Sequence, residues 1–167
     1  MNNTHIDLTL KALTKLNLKE GLSLLDVGCG ETSNKIVGFK DYYKWVGVDS
    51  EKNSDTILAC MEDMNMIDDN SFDIIFVCHS LEHCQHPIEA LKEFKRIVKP
   101  NGTIFISSPL HCRHQILEAD KDHIFVFTDI QFQRLLLYTG LTLKQQWVEW
   151  SEPAIEKNSS LITVCVK

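Results

Sequence analysis

Two glycines, Gly28 and Gly30, directly follow the apolar run Ser23-Leu24-Leu25-Asp26-Val27. Glycine at a strand-to-helix turn lets a ligand come close to backbone N–H groups, because no Cβ intervenes and positive φ carries little cost. Such a turn serves equally well to fold a strand tightly back onto a helix. Asp49 supplies the other half of a pattern: it ends the next apolar run, Trp45-Val46-Gly47-Val48, 19 residues beyond Gly30. A carboxylate so placed can accept hydrogen bonds from both hydroxyls of a ribose, which points to an adenosine-type ligand. Capping the following turn is the purely structural use of the same residue.

Six of the seven histidines, His79, His83, His86, His111, His114 and His123, follow two further apolar runs. Histidine titrates near neutrality and can take or give a proton during a reaction. It is also a metal ligand. His79 and His83 would share one face if their segment were helical, and Cys84, His86, His111, Cys112 and His114 could complete a zinc shell. None of the standard zinc spacings occurs, so no bound metal is expected. A metal-dependent hydrolase using this His/Cys cluster stands as one of two alternative functions.

The elements that position these residues follow from periodicity. Ile6, Leu10, Leu13 and Leu16 recur at helical intervals before Gly21, which predicts an N-terminal helix over 6–18. Ser23 to Val27 reads as a buried parallel strand, Glu31 to Phe39 as a short helix, Trp45 to Asp49 as a second strand and Ile57 to Cys60 as a brief third. Phe72 to Cys78 is apolar on both faces and belongs mid-sheet. Pro87 suits a first helical turn, and Ile88, Leu91, Phe94, Ile97 and Val98 form the stripe of a helix that stops at Lys99-Pro100-Asn101-Gly102. Thr103 to Ser107 is a fifth strand. A histidine-bearing loop runs from Pro109 to Asp122, and Thr128 caps a helix that ends near Tyr138 with Gly140 beyond it. Leu141 to Trp150 and Leu161 to Val166 are two closing strands joined around Pro153. Strands alternating with helices before a terminal hairpin predict an α/β fold: a doubly wound, mostly parallel seven-stranded sheet with a C-terminal antiparallel hairpin. The 167 residues fit one domain, with 1–20 as the N-terminal helix, 21–107 as a cofactor-binding half and 108–167 as a substrate-side half.

Composition excludes several classes. The apolar share of 44% and charged share of 24% are those of an ordinary globular protein. No apolar run approaches the ~20 residues that span a bilayer, and Met1-Asn2-Asn3-Thr4-His5 lacks the order of a signal peptide, so a cytoplasmic location is expected. A net charge of −6 disfavours polyanions, and nucleic acid is not an expected partner. Lys92, Lys95, Arg96 and Lys99 form the densest basic set and read as a solvated helical face. The cysteines at 29, 60, 78, 84, 112 and 165 form no CxxC pair, which implies free thiols rather than a disulfide framework.

Leu24-Leu25-Asp26-Val27-Gly28-Cys29-Gly30 resembles the first motif of class I S-adenosylmethionine-dependent methyltransferases, not the dinucleotide fingerprint, which would need glycine at Ser33. Asp69-Asn70-Ser71-Phe72-Asp73, Ser80-Leu81-Glu82-His83 and the stretch Leu91 to Gly102 resemble the small-molecule-type branch of that superfamily. The resemblance covers roughly residues 20–143. It implies S-adenosylmethionine as cofactor, with Asp26, Gly28, Cys29 and Gly30 around its methionine part, Asp49 and Ser50 at the ribose, and Met61 and Glu62 at the adenine. Cys78 would offer backbone to the amino group. The sequence departs from the family at Thr32, where a third glycine is usual, at Cys60, where an Asp is usual, and between Asp49 and Cys60, where a full crossover helix does not fit.

The implied reaction is methyl transfer to an O, N or C nucleophile. Displacement at a sulfonium carbon can run on positioning and desolvation, and a base is needed only where the acceptor must lose a proton. His83 is the first choice for that role, with His111 and His123 behind it. The altered glycine loop supports the other alternative, a catalytically silent methyltransferase-like subunit. The acceptor is a small molecule or an exposed group of a larger one. With little sequence available as a lid, a partner subunit or homodimer is expected to cover the site.

Overall fold

The computed structural model describes residues 11, 14–30, 44–51, 56–110, 122–150 and 159–167. The run Ser23–Val27 forms β1, and Leu24, Leu25 and Val27 are at most 1% exposed, as a strand covered on both faces requires. Lys44–Asp49 is β2, Thr56–Leu58 is β3 and Phe72–Cys78 is β4. A single 3₁₀ turn, Leu81–His83, precedes helix α1, Pro87–Ile97. Then come β5, Val98–Pro109, helix α2, Asp129–Thr139, β6, Thr142–Trp150, and β7, Ser159–Val166.

The seven strands make one sheet in the order β3-β2-β1-β4-β5-β7-β6. The first five are mutually parallel, while β7 runs antiparallel to both β5 and β6. The expected α/β class and the antiparallel C-terminal pair are therefore present. Alternate residues of β1 and β4 divide between two cores. Leu25, Val27, Ile75 and Val77 join Phe94 of α1 and Phe132 of α2 on one face. Leu24, Ile74 and Phe76 pack with Phe105, Ile162 and Val164 on the other, where Phe76 stacks on its strand partner Phe105 at 5.4 Å. Both described helices lie against the first face.

Local chemistry sets the helix ends. Thr128 accepts from the Gln131 amide at 3.2 Å while the Gln131 side chain accepts from the Thr128 amide at 3.1 Å, a reciprocal capping box, and Gly140 ends α2 at φ 70°. Three expectations need correction. The third strand is Thr56–Leu58, not Ile57 to Cys60. It overlaps only the last three residues of β2, so the link steps back by two residues, about 7 Å, and no crossover helix is required. The fifth strand begins at Val98, and the Lys99–Gly102 stretch lies inside it at an irregularity opposite Phe72 to Ile74. The basic set is not a solvated face. Only Lys92, bonded to Glu89, is of that kind; Lys95 Nζ donates to the Thr139 carbonyl, Lys99 Nζ to Asp73, and Arg96 to Glu93, Asp69 and the carbonyls of Met64 and Ile67. Most of the helix predicted over 6–18, the helix predicted over 31–39, Thr32, most of the 109–122 loop and the link around Pro153 lie outside the described residues.

Candidate active site

Strand order reverses direction at β1, whose neighbours are β2 on one side and β4 on the other. Chain connections leave opposite ways there, so a crevice opens at the carboxyl ends of the strands. A cleft of about 650 Å³ occupies that place, lined by Gly28, Gly30, Asp49, Ser50, Met61, Glu62, His79, Ser80 and His83 among others. Its floor is apolar at Val48 and Ala59, and its rim is acidic at Asp49, Glu51 and Glu62.

The glycine turn is built against β2 and β4. Gly28 and Cys29 donate their amides to the Val48 carbonyl at 2.8 and 3.2 Å. Gly28 sits at φ 72°, and a Cβ there would lie 2.4 Å from Cβ of Ser80. Glycine is required so that Ser80 can reach in and donate to the Val27 carbonyl at 2.9 Å. Gly30 donates its amide to Oδ2 of Asp49 at 2.6 Å, and the Glu51 amide donates to Oδ1 at 2.9 Å. One carboxylate thus ties the tip of the β1 turn to the end of β2. Each of its oxygens keeps further lone-pair capacity, and the residue lines the cleft.

Several predicted residues fall elsewhere. Asp26 is 5% exposed and accepts from Trp45 Nε1 at 3.3 Å, away from the cleft lining. Cys29 is buried, and Cys78 is half-buried one residue short of the lining, which passes to His79 and Ser80. His111 lies outside the described residues. His83 and His123 are brought together, their rings edge to face at 4.8 Å, and His83 Nδ1 lies 2.9 Å from the Asp122 carbonyl.

Two residues that make this corner unusual fall outside the expected site: His79, which the sequence offers only as one of several histidines after the strands, and Glu82, which it offers only as part of a motif. His79 adopts φ 49°, a left-handed conformation rare for a residue with a side chain, and its Nε2 lies 3.0 Å from Ser160 Oγ. Glu82 is wholly buried, and neither carboxyl oxygen has a hydrogen-bond partner among the described residues; His79 Nδ1 lies 3.7 Å from Oε1. Burial, opposed only by its own backbone, pushes the Glu82 carboxyl up to about 8. The quoted motif Ser80 to His83 contained Glu82, but nothing local distinguishes a buried glutamate from an exposed one. Cys84 donates its thiol to Glu62 Oε1 at 3.1 Å, and burial with that neighbour pushes the thiol up to about 12, so it stays protonated.

The methyltransferase-domain family model matches residues 2–147. The chain belongs to that family. It is 30% identical over 163 residues to phosphoethanolamine N-methyltransferase 1 of Arabidopsis thaliana, covering 82% of this chain and 32% of that relative. It is 24% identical over 162 residues to demethylmenaquinone methyltransferase of Bacillus subtilis, covering 84% and 65%. The chain therefore spans about a third of the first relative and two thirds of the second. Among solved structures, a methyltransferase chain complexed with the Haloferax volcanii Trm112 activator superposes with a TM-score of 0.80 at 18% identity, covering 97% of this chain and 89% of that one. A Burkholderia thailandensis 1,6-didemethyltoxoflavin-N1-methyltransferase with bound S-adenosylhomocysteine gives 0.76 at 14%, covering 98% and 78%. At those identities the structures establish the shared fold.

Proposed function

We propose that this chain transfers the methyl group of S-adenosylmethionine to a small-molecule acceptor. The observation that carries the reading is Asp49, whose carboxylate bridges the glycine turn and β2 while lining the cleft at the sheet's switch point. The cleft suits such a cofactor: an apolar floor accommodates a flat base, and carboxylates at the rim suit a ribose diol and a cationic ligand. The cofactor, when bound, supplies an activated methyl carbon on a sulfonium. The chain supplies the rest. Asp49 and Ser50 hold the ribose, Met61 packs on the adenine with Glu62 beside it, and the turn from Asp26 through Gly28 and Cys29 to Gly30 frames the methionine part. All three amides from Gly28 to Gly30 are committed to β2, so the turn offers close approach and carbonyl oxygens rather than donors. Backbone at the end of β4, from Cys78 to His79, accepts from the amino group.

His83, with His111 and His123 behind it, takes the acceptor proton where one must leave. The relatives named for phosphoethanolamine and demethylmenaquinone support a small-molecule acceptor without choosing one. We place the protein in the cytoplasm as one methyltransferase-like domain: among the described residues no helix is long and apolar enough to cross a membrane, and the described cysteines form no disulfide. A partner subunit or second copy covers the cleft, a reading supported by the related chain solved with an activator.

Calorimetry with S-adenosylhomocysteine tests the core of this reading. Binding is expected, and Asp49→Ala should weaken it about 100-fold, since it removes charged hydrogen bonds worth roughly 1.5–3 kcal/mol each. Unchanged affinity in the variant would sink the ribose assignment, and no binding to the parent chain would leave the silent-subunit reading in its place.

A further inference from the structure

We propose that Glu82, His83 and His123 form a site for one divalent transition-metal ion at the edge of the cleft. One carboxylate oxygen and one nitrogen from each ring lie within 4.8 Å of one another. Three ligands of that chemistry match a catalytic-type site that keeps coordination positions open, and two imidazoles select a zinc-class ion over magnesium or calcium.

Three observations beyond proximity point to a ligand. Glu82 is fully buried, its oxygens lack hydrogen-bond donors among the described residues, with His79 Nδ1 at 3.7 Å from Oε1, and one of them lies within 4.8 Å of a nitrogen on each of the two rings. A buried carboxyl without donors is costly, and a cation among neutral imidazoles offsets that cost. His83 is oriented as a metal ligand is: the Asp122 carbonyl can only accept, so Nδ1 carries the proton and Nε2 keeps its lone pair. Finally, the Ile124 and Phe125 amides donate to the Glu82 carbonyl at 2.9 and 3.0 Å. Those bonds fasten the segment bearing His123 to the residue bearing the carboxylate, so the ligands are held before any ion arrives. Cys84, a nearby thiol, is turned to Glu62 instead.

Spacing rules miss this site because the third ligand arrives from a distant segment rather than from the Leu81–His83 turn. His83 also lines the cleft, which puts the ion beside the space for the acceptor. Granting the methyltransferase reading, the ion would replace His83 as the means of activating the acceptor, since a metal-bound Nε2 takes no proton: the ion would hold an acceptor hydroxyl oxygen, its proton passing to solvent. That oxygen then attacks the methyl carbon as the carbon–sulfur bond breaks and neutral sulfide leaves.

The test uses the full chain without a histidine tag, stripped with EDTA and titrated with cobalt(II) by electronic absorption and with zinc(II) by calorimetry. One ion per chain is expected, with a cobalt spectrum of nitrogen and oxygen ligands. His123→Ala and Glu82→Gln should each weaken binding about 10- to 100-fold. His83→Asn, at an exposed position, keeps the test open should either variant lose its native circular dichroism. Thiolate-to-cobalt bands, no stoichiometric binding, or folded variants that bind as tightly as the parent would each overturn the site. S-adenosylhomocysteine is titrated in parallel: cofactor binding without metal removes only this proposal, whereas metal binding without cofactor upholds the site and removes the methyltransferase reading.

Discussion

Asp73 and Glu82 are carboxyls at opposite ends of β4, and the fold treats them in opposite ways. Asp73 sits near the entrance of the strand, where its Oδ2 accepts from the Ser23 hydroxyl at 2.6 Å, the Ser23 amide at 2.9 Å and Lys99 Nζ at 2.9 Å. Burial raises it, but Ser23 and Lys99 outweigh that and hold the group at about 2. Glu82, beyond the exit of the strand, is more deeply buried and finds no donor among the described residues. The difference marks division of labour across one sheet. At the entrance edge polar groups serve cohesion; at the cleft edge two glycines and His79 sit at positive φ and a carboxyl is left without a donor. Positive φ occurs at both edges, at Gly21, Asn70 and Asn101 by the entrance as well as at Gly28, Gly30 and His79 by the cleft, so the contrast between the edges lies in how each treats its carboxyl.

The largest expected effect breaks the cleft edge. Gly28→Ala forces an L side chain to φ 72° and puts its Cβ 2.4 Å from that of Ser80. Left-handed backbone and overpacking together should cost about 3 kcal/mol, read as a shift of the urea midpoint at unchanged slope. Adding Ser80→Gly should return part of it by removing the contact, leaving the backbone share. A variant as stable as the parent would mean that the turn is not the strict scaffold described above.

The next effect tests the opposite edge. Asp73→Asn should lower stability by about 2 kcal/mol near neutral pH, because the folded carboxyl is held at about 2 against 3.8 for an ordinary aspartate. The sign follows from that depression: the contribution is present above 3.8 and is lost as pH falls through the folded value. The stability gap between parent and variant, from urea unfolding at a series of pH values, should therefore narrow on acidification and close near pH 2. A gap independent of pH would show that the substitution costs packing rather than charge.

Local signals were legible, and distant ones were not. Thr128, Gln131 and Gly140 announce both ends of α2 because a cap satisfies groups within its own turn. The apolar runs of β1 and β4 announce buried strands because their neighbours cover both faces. In the site, Gly28, Gly30, Asp49 and His83 line the cleft as their positions at strand ends suggest, and Ser50, Met61 and Glu62, which only the family resemblance implies, line it too. Lys99-Pro100-Asn101-Gly102, in contrast, looks like a stop, yet pairing with β4 draws it into β5. Arg96 looks like a solvated cation, yet the loop from Met64 to Asp69 folds onto it. Asp26 looks like a ligand contact, yet Trp45 of the next strand covers it. In each case the deciding partner lies far away in sequence, and the same holds for His123 beside Glu82.

The smallest expected effect has the opposite sign. Glu82→Met keeps the volume of the side chain and removes a buried polar group that has no donor among the described residues. Replacing a poorly satisfied buried polar group by an apolar isostere is often neutral or stabilising, so the metal-free chain should gain about 1 kcal/mol, a rise in Tm of roughly 2–4 °C. No comparable gain is available at Asp73, where three donors would be stranded instead. Paired melts of Glu82→Met in EDTA and in zinc(II) separate two origins of the effect. With the site intact only in the parent, zinc should raise the parent's Tm and leave the variant's unchanged, so the order of stabilities reverses on adding metal. A variant destabilised in EDTA would mean that Glu82 already has a partner that holds the 3₁₀ turn in place. The cleft edge would then be built for cohesion like the entrance edge.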